Sequence, residues 1–463
     1  MIYRKLFAFL AFAALAATAA PAAEILPVSE IRSGMKGYGV TSFEGTRLER
    51  FDVEILGVLR EMGPGQDLIL ARVGSELLEH SGVIAGMSGS PIFIDGKLIG
   101  ALAYSWQFAK DPIAGITPIE EMLELARSGG TAATAATPAS ASEAIAKLLE
   151  PKREHLDAMV AALARPQSAA AGALPIAVPL AFGSFASDTI DRFGGLFEAG
   201  GFMPVPSGSS TGGAAELTDT RFRPGDPIGA VLLQGDFTVA ASGTVTHVDG
   251  NQVWAFGHPF LDMGAIEFPM AKSEVVAVLP SVARSFKISN TGPVVGALKQ
   301  DRAAGIYGEI GAPVSMIPVE VTIDGPRGPE TYEVELARHP ILSPLLLAMV
   351  ADSVVAVSER SSGERTIMLD CEIELEGVDE PVHVRDGWAG ADARQSIPVY
   401  LAVLSNYLLS NEFAEAPIER IRLNLRHADD LLVARLVRAT VEPPADGRVS
   451  PGDTIRVHAS LKP

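Results

Sequence analysis

Short apolar runs, many alternating with polar residues and closed by turns of glycine and aspartate, recur along most of this chain and restrict it to a mainly β fold. Asp52-Val53-Glu54-Ile55-Leu56-Gly57-Val58 alternates, and Leu68-Ile69-Leu70-Ala71 is a short buried run. Pro91-Ile92-Phe93-Ile94 and Lys97-Leu98-Ile99-Gly100-Ala101-Leu102 read as two strands joined at Asp95-Gly96, a dipeptide that accepts the positive φ of a tight hairpin. The same pattern returns at Ala230–Leu233, Phe237–Ala241, Gly243–Thr246 and Gln252–Phe256, with Asp249-Gly250 as a second hairpin turn. Helical spacing interrupts it at Pro118–Arg127, Ser142–Ala164, Ile341–Val357 and Pro398–Ser410.

Composition divides the chain. Arg4 and Lys5, the apolar run Leu6–Ala17 and the small-residue site Ala20-Pro21-Ala22 read as a secretory signal peptide over residues 1–22. Thr18 and Pro21 interrupt the run near the length a spanning helix requires, so cleavage is expected and no stable membrane span after it. Residues 24–127 form a first β segment. Residues 128–173 are Ala-rich linkers around a helix, and 174–337 form a second β segment. Residues 338–463 form a C-terminal α+β region, its final strands suggesting a β-sandwich module. The expected compartment is the periplasm or the extracellular space.

The net charge of −19 falls by two when Arg4 and Lys5 leave with the leader. Such a surface repels phosphate backbones, which argues against a nucleic-acid partner. The single cysteine, Cys371, rules out an internal disulfide and a multi-cysteine metal site. It lies in the alternating run Ile367–Leu375 and reads as a buried structural thiol. No phosphate-binding loop, dinucleotide fingerprint, His-Glu-x-x-His or paired-carboxylate motif occurs, so neither metal nor cofactor is expected.

One hexapeptide carries chemistry. In Gly86-Met87-Ser88-Gly89-Ser90-Pro91 the flanking glycines allow a tight turn that exposes a hydroxyl, as at the nucleophile of two-barrel serine peptidases. The N–H groups of Gly86 and Ser88 would then converge as an oxyanion hole. The competing reading is a glycine-rich turn with a capping serine. Eight histidines compete to serve as a base, His258 among them in Ala255-Phe256-Gly257-His258. His247 reads as a strand residue before a turn and His80 as a surface residue.

Two blocks of sequence together resemble the SpoIVB peptidase family. Gly86–Ile92 with Gly96–Ala101, Asp111–Ile116 and Ile119–Leu123, preceded by Glu76-Leu77-Leu78-Glu79, is similar to the family's nucleophile region. Gly243–Thr246, Ala255–His258 and Gln300–Gly308 are similar to its histidine region. The resemblance implies Ser88 as nucleophile and His258 as general base of a serine endopeptidase working through an acyl-enzyme. It also implies a trypsin-like double β-barrel. By the same analogy the substrate is an envelope protein or the enzyme itself.

The chain departs from the family in two respects. Sporulation members carry histidine before serine, whereas Ser88 precedes His258, so the two halves would be permuted in chain order. Geometry and not order defines such a site. The family's acid before Glu-Leu-Leu is missing from Val73-Gly74-Ser75-Glu76. Asp262 matches a family aspartate in its spacing from the histidine and is the first choice for an orienting acid, with Asp67 and Asp301 behind it. Gln300-Asp301-Arg302 also reads as a structural turn salt bridge. The rival to catalysis is an exported binding protein that keeps the peptidase scaffold. An imidazole titrating near its ordinary 6.5 would make activity rise through about pH 6 to 7.

Overall fold

A computed structural model describes residues 24–463 apart from 64, 107, 128–146, 149, 162–171, 208–219, 326–327, 359–364, 391, 411–415, 429, 443–451, 453 and 463. The signal-peptide reading and most of the Ala-rich linker lie outside these residues. The described chain is mainly β with fewer helices.

The first β segment closes on itself. Strands β1 (Lys36–Ser42), β2 (Leu48–Gly63), β3 (Gln66–Gly74), β4 (Pro91–Ile94), β5 (Lys97–Ser105) and β6 (Ile113–Pro118) pair in the order β4-β1-β2-β3-β6-β5, and β5 returns to β4. All of these pairings are antiparallel, which makes a closed six-stranded barrel. Its interior follows from the alternation in the sequence. Phe51, Val53 and Ile55 of β2 are buried while Asp52 faces out, and Ile69, Ala71 and Val73 of β3 line the same core. Asp95 and Gly96 both take positive φ (51° and 79°), the two-residue turn expected between β4 and β5. Helix α1 (Glu76–Ser81), capped by Ser75, precedes the Gly86–Ser90 turn, and α2 (Ile119–Leu123) follows β6.

The remaining strands form a second sheet. A short strand β7 (Leu174–Pro175) first lies on β5 of the barrel. Then come β8 (Val178–Gly183), β9 (Phe202–Ser207), β10 (Pro227–Gly235), β11 (Thr238–Asp249), β12 (Gln252–Ala255), β13 (Gly264–Leu279), β14 (Phe286–Arg302) and β15 (Gly305–Ile310). Pairings run β10-β13-β14-β15-β12-β11, and β11 returns to β10, so these strands also form a ring. The sheet continues across residue 337 through β16 (Met316–Gly325), β17 (Gly328–Ala337), β18 (Arg365–Leu375), β19 (Val382–Gly390) and β20 (Ile418–Ala428). Among the described residues the final strands, β21 (Arg435–Glu442) and β22 (Arg456–Lys462), pair only with each other, and both are exposed throughout.

Helices cover the second core. Of the expected Ser142–Ala164 helix, α3 spans Arg153–Ala161. Next comes α4 (Ser187–Ala199), followed by α5 (Leu342–Ser358), where the sequence has helical spacing over Ile341–Val357. Its Asp352 is fully buried, yet it accepts hydrogen bonds from Thr189 Oγ1 (2.7 Å), Arg192 (2.8 Å) and Arg394 (3.1 Å). A buried carboxylate is tolerable only with partners of this kind. Helix α6 (Ala393–Leu409) starts before Pro398, which sits inside it. Cys371 is buried in β18, and desolvation pushes its thiol up to about 12.

The barrel and the second sheet meet at the Gly86–Ser90 turn. The Thr244 N–H donates to the Ser88 carbonyl (2.9 Å), Thr244 Oγ1 to the Gly86 carbonyl (3.0 Å) and Thr246 Oγ1 to the Gly89 carbonyl (2.7 Å). A methyl group at Gly89 would stand 1.9 Å from Thr244 O and 2.5 Å from Phe256 N, and φ there is +94°. Gly89→Ala should therefore cost at least about 3 kcal/mol, since neither backbone can yield. Gly96→Ala, at φ +79° with open space around it, should cost about 1 kcal/mol. Urea melts of the two variants check this; equal midpoints would show that the seam can relax.

Candidate active site

The turn that carries Ser88 is built by local rules. Gly86 and Gly89 both take φ of +94°, a region costly for residues with a Cβ. The Met87 N–H donates to Ile84 O (3.0 Å) and the Ser90 N–H to Met87 O (2.9 Å), so the chain coils tightly around Ser88. Ser90 Oγ donates to the same Met87 carbonyl (2.6 Å), which makes it a support of the turn. Among the described residues the N–H groups of Gly86 and Ser88 have no partner, whereas the intervening Met87 N–H and the following Gly89 N–H are bonded.

His258 arrives from the second sheet at the end of β12. Phe256 and Gly257 both have positive φ (67° and 70°), and for a bulky residue such as Phe256 that is a strained position. Two contacts make the turn worth its strain. The Phe256 N–H donates to Thr244 O (3.3 Å), and the Gly257 carbonyl accepts from Thr117 Oγ1 (2.5 Å). Gly257 is tight against β5, where a methyl group would stand 2.7 Å from Ala101 Cβ and 3.2 Å from Ala103 Cβ. The Gly89 N–H donates to Leu102 O (2.8 Å) between those two alanines. Ser88 and His258, 170 positions apart in the sequence, thus each follow or precede a glycine seated on the same three residues of β5.

Both side chains are buried, Ser88 fully and His258 to within 1%. Among the described residues Ser88 Oγ and His258 Nε2 each lack a hydrogen-bond partner, so they are not bonded to one another. Nδ1 is paired with the Pro259 carbonyl at 2.8 Å. That contact leaves Nε2 as the unprotonated, accepting nitrogen of the neutral ring. Burial holds the imidazole down at about 4, opposed in part by the backbone of Pro259 and of Ile176. The ring therefore sits well below the 6.5 of a solvated histidine.

No carboxylate is among the groups that act on this imidazole. Asp301 is fully buried and serves the loop after His258 instead. Its carboxylate accepts from the N–H groups of Phe260 (2.7 Å), Leu261 (2.7 Å) and Met263 (3.3 Å). Burial pushes Asp301 up to about 6, and the nearby Asp262 adds to the rise. Asp301 clamps a loop through amides, while Arg302 donates to Gln300 (2.8 Å). Asp67 accepts from Arg60 and from the Glu61 N–H, and it lines a small pocket with Tyr104 and Thr117 without acting on the imidazole. His247 pairs across from Trp254 in β11–β12, its ring 5.3 Å from the indole, and His80 is exposed at the end of α1.

Sequence reasoning missed the threonines that join the halves. Thr244 and Thr246 stand on one face of β11, and that spacing of two was the available signal. It also missed Lys287, which lies 3.3 Å from where a Gly86 methyl would stand, donates to Thr41 Oγ1 (2.7 Å) and is pushed down to about 7 by burial. Tyr104 of β5 packs 6.5 Å from the His258 ring. Among the described residues no three His, Cys, Asp or Glu side chains cluster as metal ligands, and no helix is long and apolar enough to cross a membrane.

No curated protein and no solved structure matches the chain. The barrel segment does have a family match, which includes the Ser88 turn and ends before His258. Residues 13–123 match the model of the SpoIVB peptidase S55 family, the family that the sequence resembles.

Proposed function

We propose that this chain is an exported serine endopeptidase with Ser88 as nucleophile and His258 as general base. The observation that carries the reading is the pair of buried, unpartnered atoms, Ser88 Oγ and His258 Nε2, on adjoining turns at one seam. Burying two such groups without partners costs a few kcal/mol; of the seven side-chain atoms so buried among the described residues, these two are the ones that fall on the paired glycine turns of the seam. The family match over the Ser88 segment independently supports a peptidase-like function.

In this reading the Ser88 hydroxyl gives its proton to His258 Nε2 as Oγ bonds to a peptide carbonyl carbon. The free N–H groups of Gly86 and Ser88 hold the resulting oxyanion. The imidazolium then protonates the departing amine, and water releases the acyl group by the reverse path. The Pro259 carbonyl holds the ring in the tautomer this requires. The two rings of strands support a trypsin-like double barrel with its halves in permuted order. The expected substrate remains an envelope protein or the enzyme itself. The rival reading, a non-catalytic exported binding protein on the same scaffold, draws on the absence of a carboxylate at Nδ1.

Fluorophosphonate labelling of the purified protein decides between them. Ser88 should be labelled, and Ser88→Ala should abolish labelling; a native protein that stays unlabelled at high reagent favours the binding protein. Ser88→Ala and His258→Ala should each cost nearly as much as both together, on the order of 10⁶ in turnover where such a unit has been dissected. Ser90→Ala should keep the label and lose about 1 kcal/mol of stability with its hydrogen bond to Met87. Asp262→Asn should lower turnover less than about tenfold, against roughly 10⁴ for an acid that sets the histidine tautomer.

The pH dependence of the closed site follows from burial. A lowered value keeps His258 neutral, and so able to accept a proton, down to about pH 4. Its ring-proton resonance, assigned by comparison with His258→Gln, should titrate with a midpoint near 4. A midpoint near 6.5 would mean a solvated ring and an open site.

A further inference from the structure

The edge of β5 beside the site is occupied by the chain itself. β4 begins at Pro91 and covers β5 only as far as Ala101. Beyond it, Ala103–Ser105 would present unpaired backbone groups next to the Ser88 turn, the kind of edge to which an extended peptide adds as a strand. Instead β7 lies there antiparallel, Leu174 opposite Ser105 and Pro175 opposite Tyr104. The next residue, Ile176, donates its N–H to Ala103 O at 2.8 Å. Its side chain is buried in the core that includes Ile84 and Met87, the residues that bracket the start of the Ser88 turn. Its backbone also acts on the His258 imidazole.

Two further facts set this segment apart from an ordinary strand. It is two residues long and includes a proline that cannot donate, so few backbone bonds besides that of the Ile176 N–H hold it to β5. It also forms part of the wall of a cavity of ≈ 590 Å³ between the barrel and the second sheet, with Val83, Ala85 and Ser105 opposite and beside it. Neither Ser88 nor His258 lines that cavity.

Building on the serine-peptidase reading, we infer that Leu174–Ile176 occupies the substrate groove in the manner of a substrate. The site takes extended peptides that add antiparallel to Ala103–Ser105, with a branched aliphatic side chain in the place of Ile176. The strap must leave before such a peptide binds. Selection comes from the apolar core that Ile176 joins, which includes Ile84 and Met87 and favours an aliphatic side chain over a charged one. Pro175 in the strap faces Tyr104, so a residue without an N–H is accepted one position earlier.

Two measurements on the full-length protein test this. The first is the rate of fluorophosphonate labelling in native protein and in Ile176→Asp, with Ser88→Ala as blank. Losing the buried anchor should raise the open population and the labelling rate at least about thirtyfold. The second compares acetyl-Ala-Leu-Pro-Ile and acetyl-Ala-Leu-Pro-Lys nitroanilides on native protein, and decides the matter if Ile176→Asp does not fold. The isoleucine peptide should be favoured at least about tenfold in kcat/KM. Equal labelling rates in a folded variant, or a preference for lysine, overturns the inference while leaving a reactive Ser88 in place. Absence of labelling and turnover in every form removes the serine-peptidase reading and the inference with it.

Discussion

The backbone contact between Ser88-Gly89 and Thr244 is the constraint on which the rest of the site depends. The Ser88 carbonyl accepts from the Thr244 N–H, and the Thr244 carbonyl passes the connection on to Phe256, two residues before His258. At Gly89 the two main chains approach so closely that no side chain fits between them. Side-chain bonds from Thr244 and Thr246 hold the flanking carbonyls. The barrel and the second sheet are therefore joined by paired backbone groups, which tolerate far less displacement than apolar surfaces in contact.

From that seam the electrostatics follow. Water is excluded, and the titratable groups around the turn shift in the direction burial dictates: His258 and Lys287 down, Asp301 up. None of the three is paired with an opposite charge at hydrogen-bond distance. His258 leans on a carbonyl, Asp301 on three amides and Lys287 on a hydroxyl. Neutral partners hold position without fixing charge, which suits the proton transfer proposed for this site. The strain at Phe256 lies at the same place, two residues before the imidazole.

The β5 strand links this seam to the groove. Its first half closes the barrel against β4, its middle seats Gly89 and Gly257, and its last residues carry the strap. One strand thus sets the place of the proposed nucleophile, the proposed base and the peptide lying beside them. The N–H groups of Gly86 and Ser88 are free for a physical reason too: the positive φ of the flanking glycines turns them away from the hydrogen bonds that Met87 and Gly89 complete.

By itself the sequence determined what is local. Alternation placed Phe51, Val53 and Ile55 on one face, Asp95-Gly96 and the region of Asp249-Gly250 became hairpins, and the helical spacing over Ile341–Val357 became a helix. Glycines around Ser88 announced a tight turn because few other residues hold φ near +94°. Tertiary structure alone decided the partners. That Thr244 meets Gly89, that the Pro259 carbonyl and no aspartate holds Nδ1, that Asp301 clamps a loop, and that Ile176 lies on Ala103 could not be read from spacing. Periodicity and turn chemistry are set by each residue's own backbone. Contacts between distant segments are set by which surfaces pack without voids, and they leave no periodic trace in the chain.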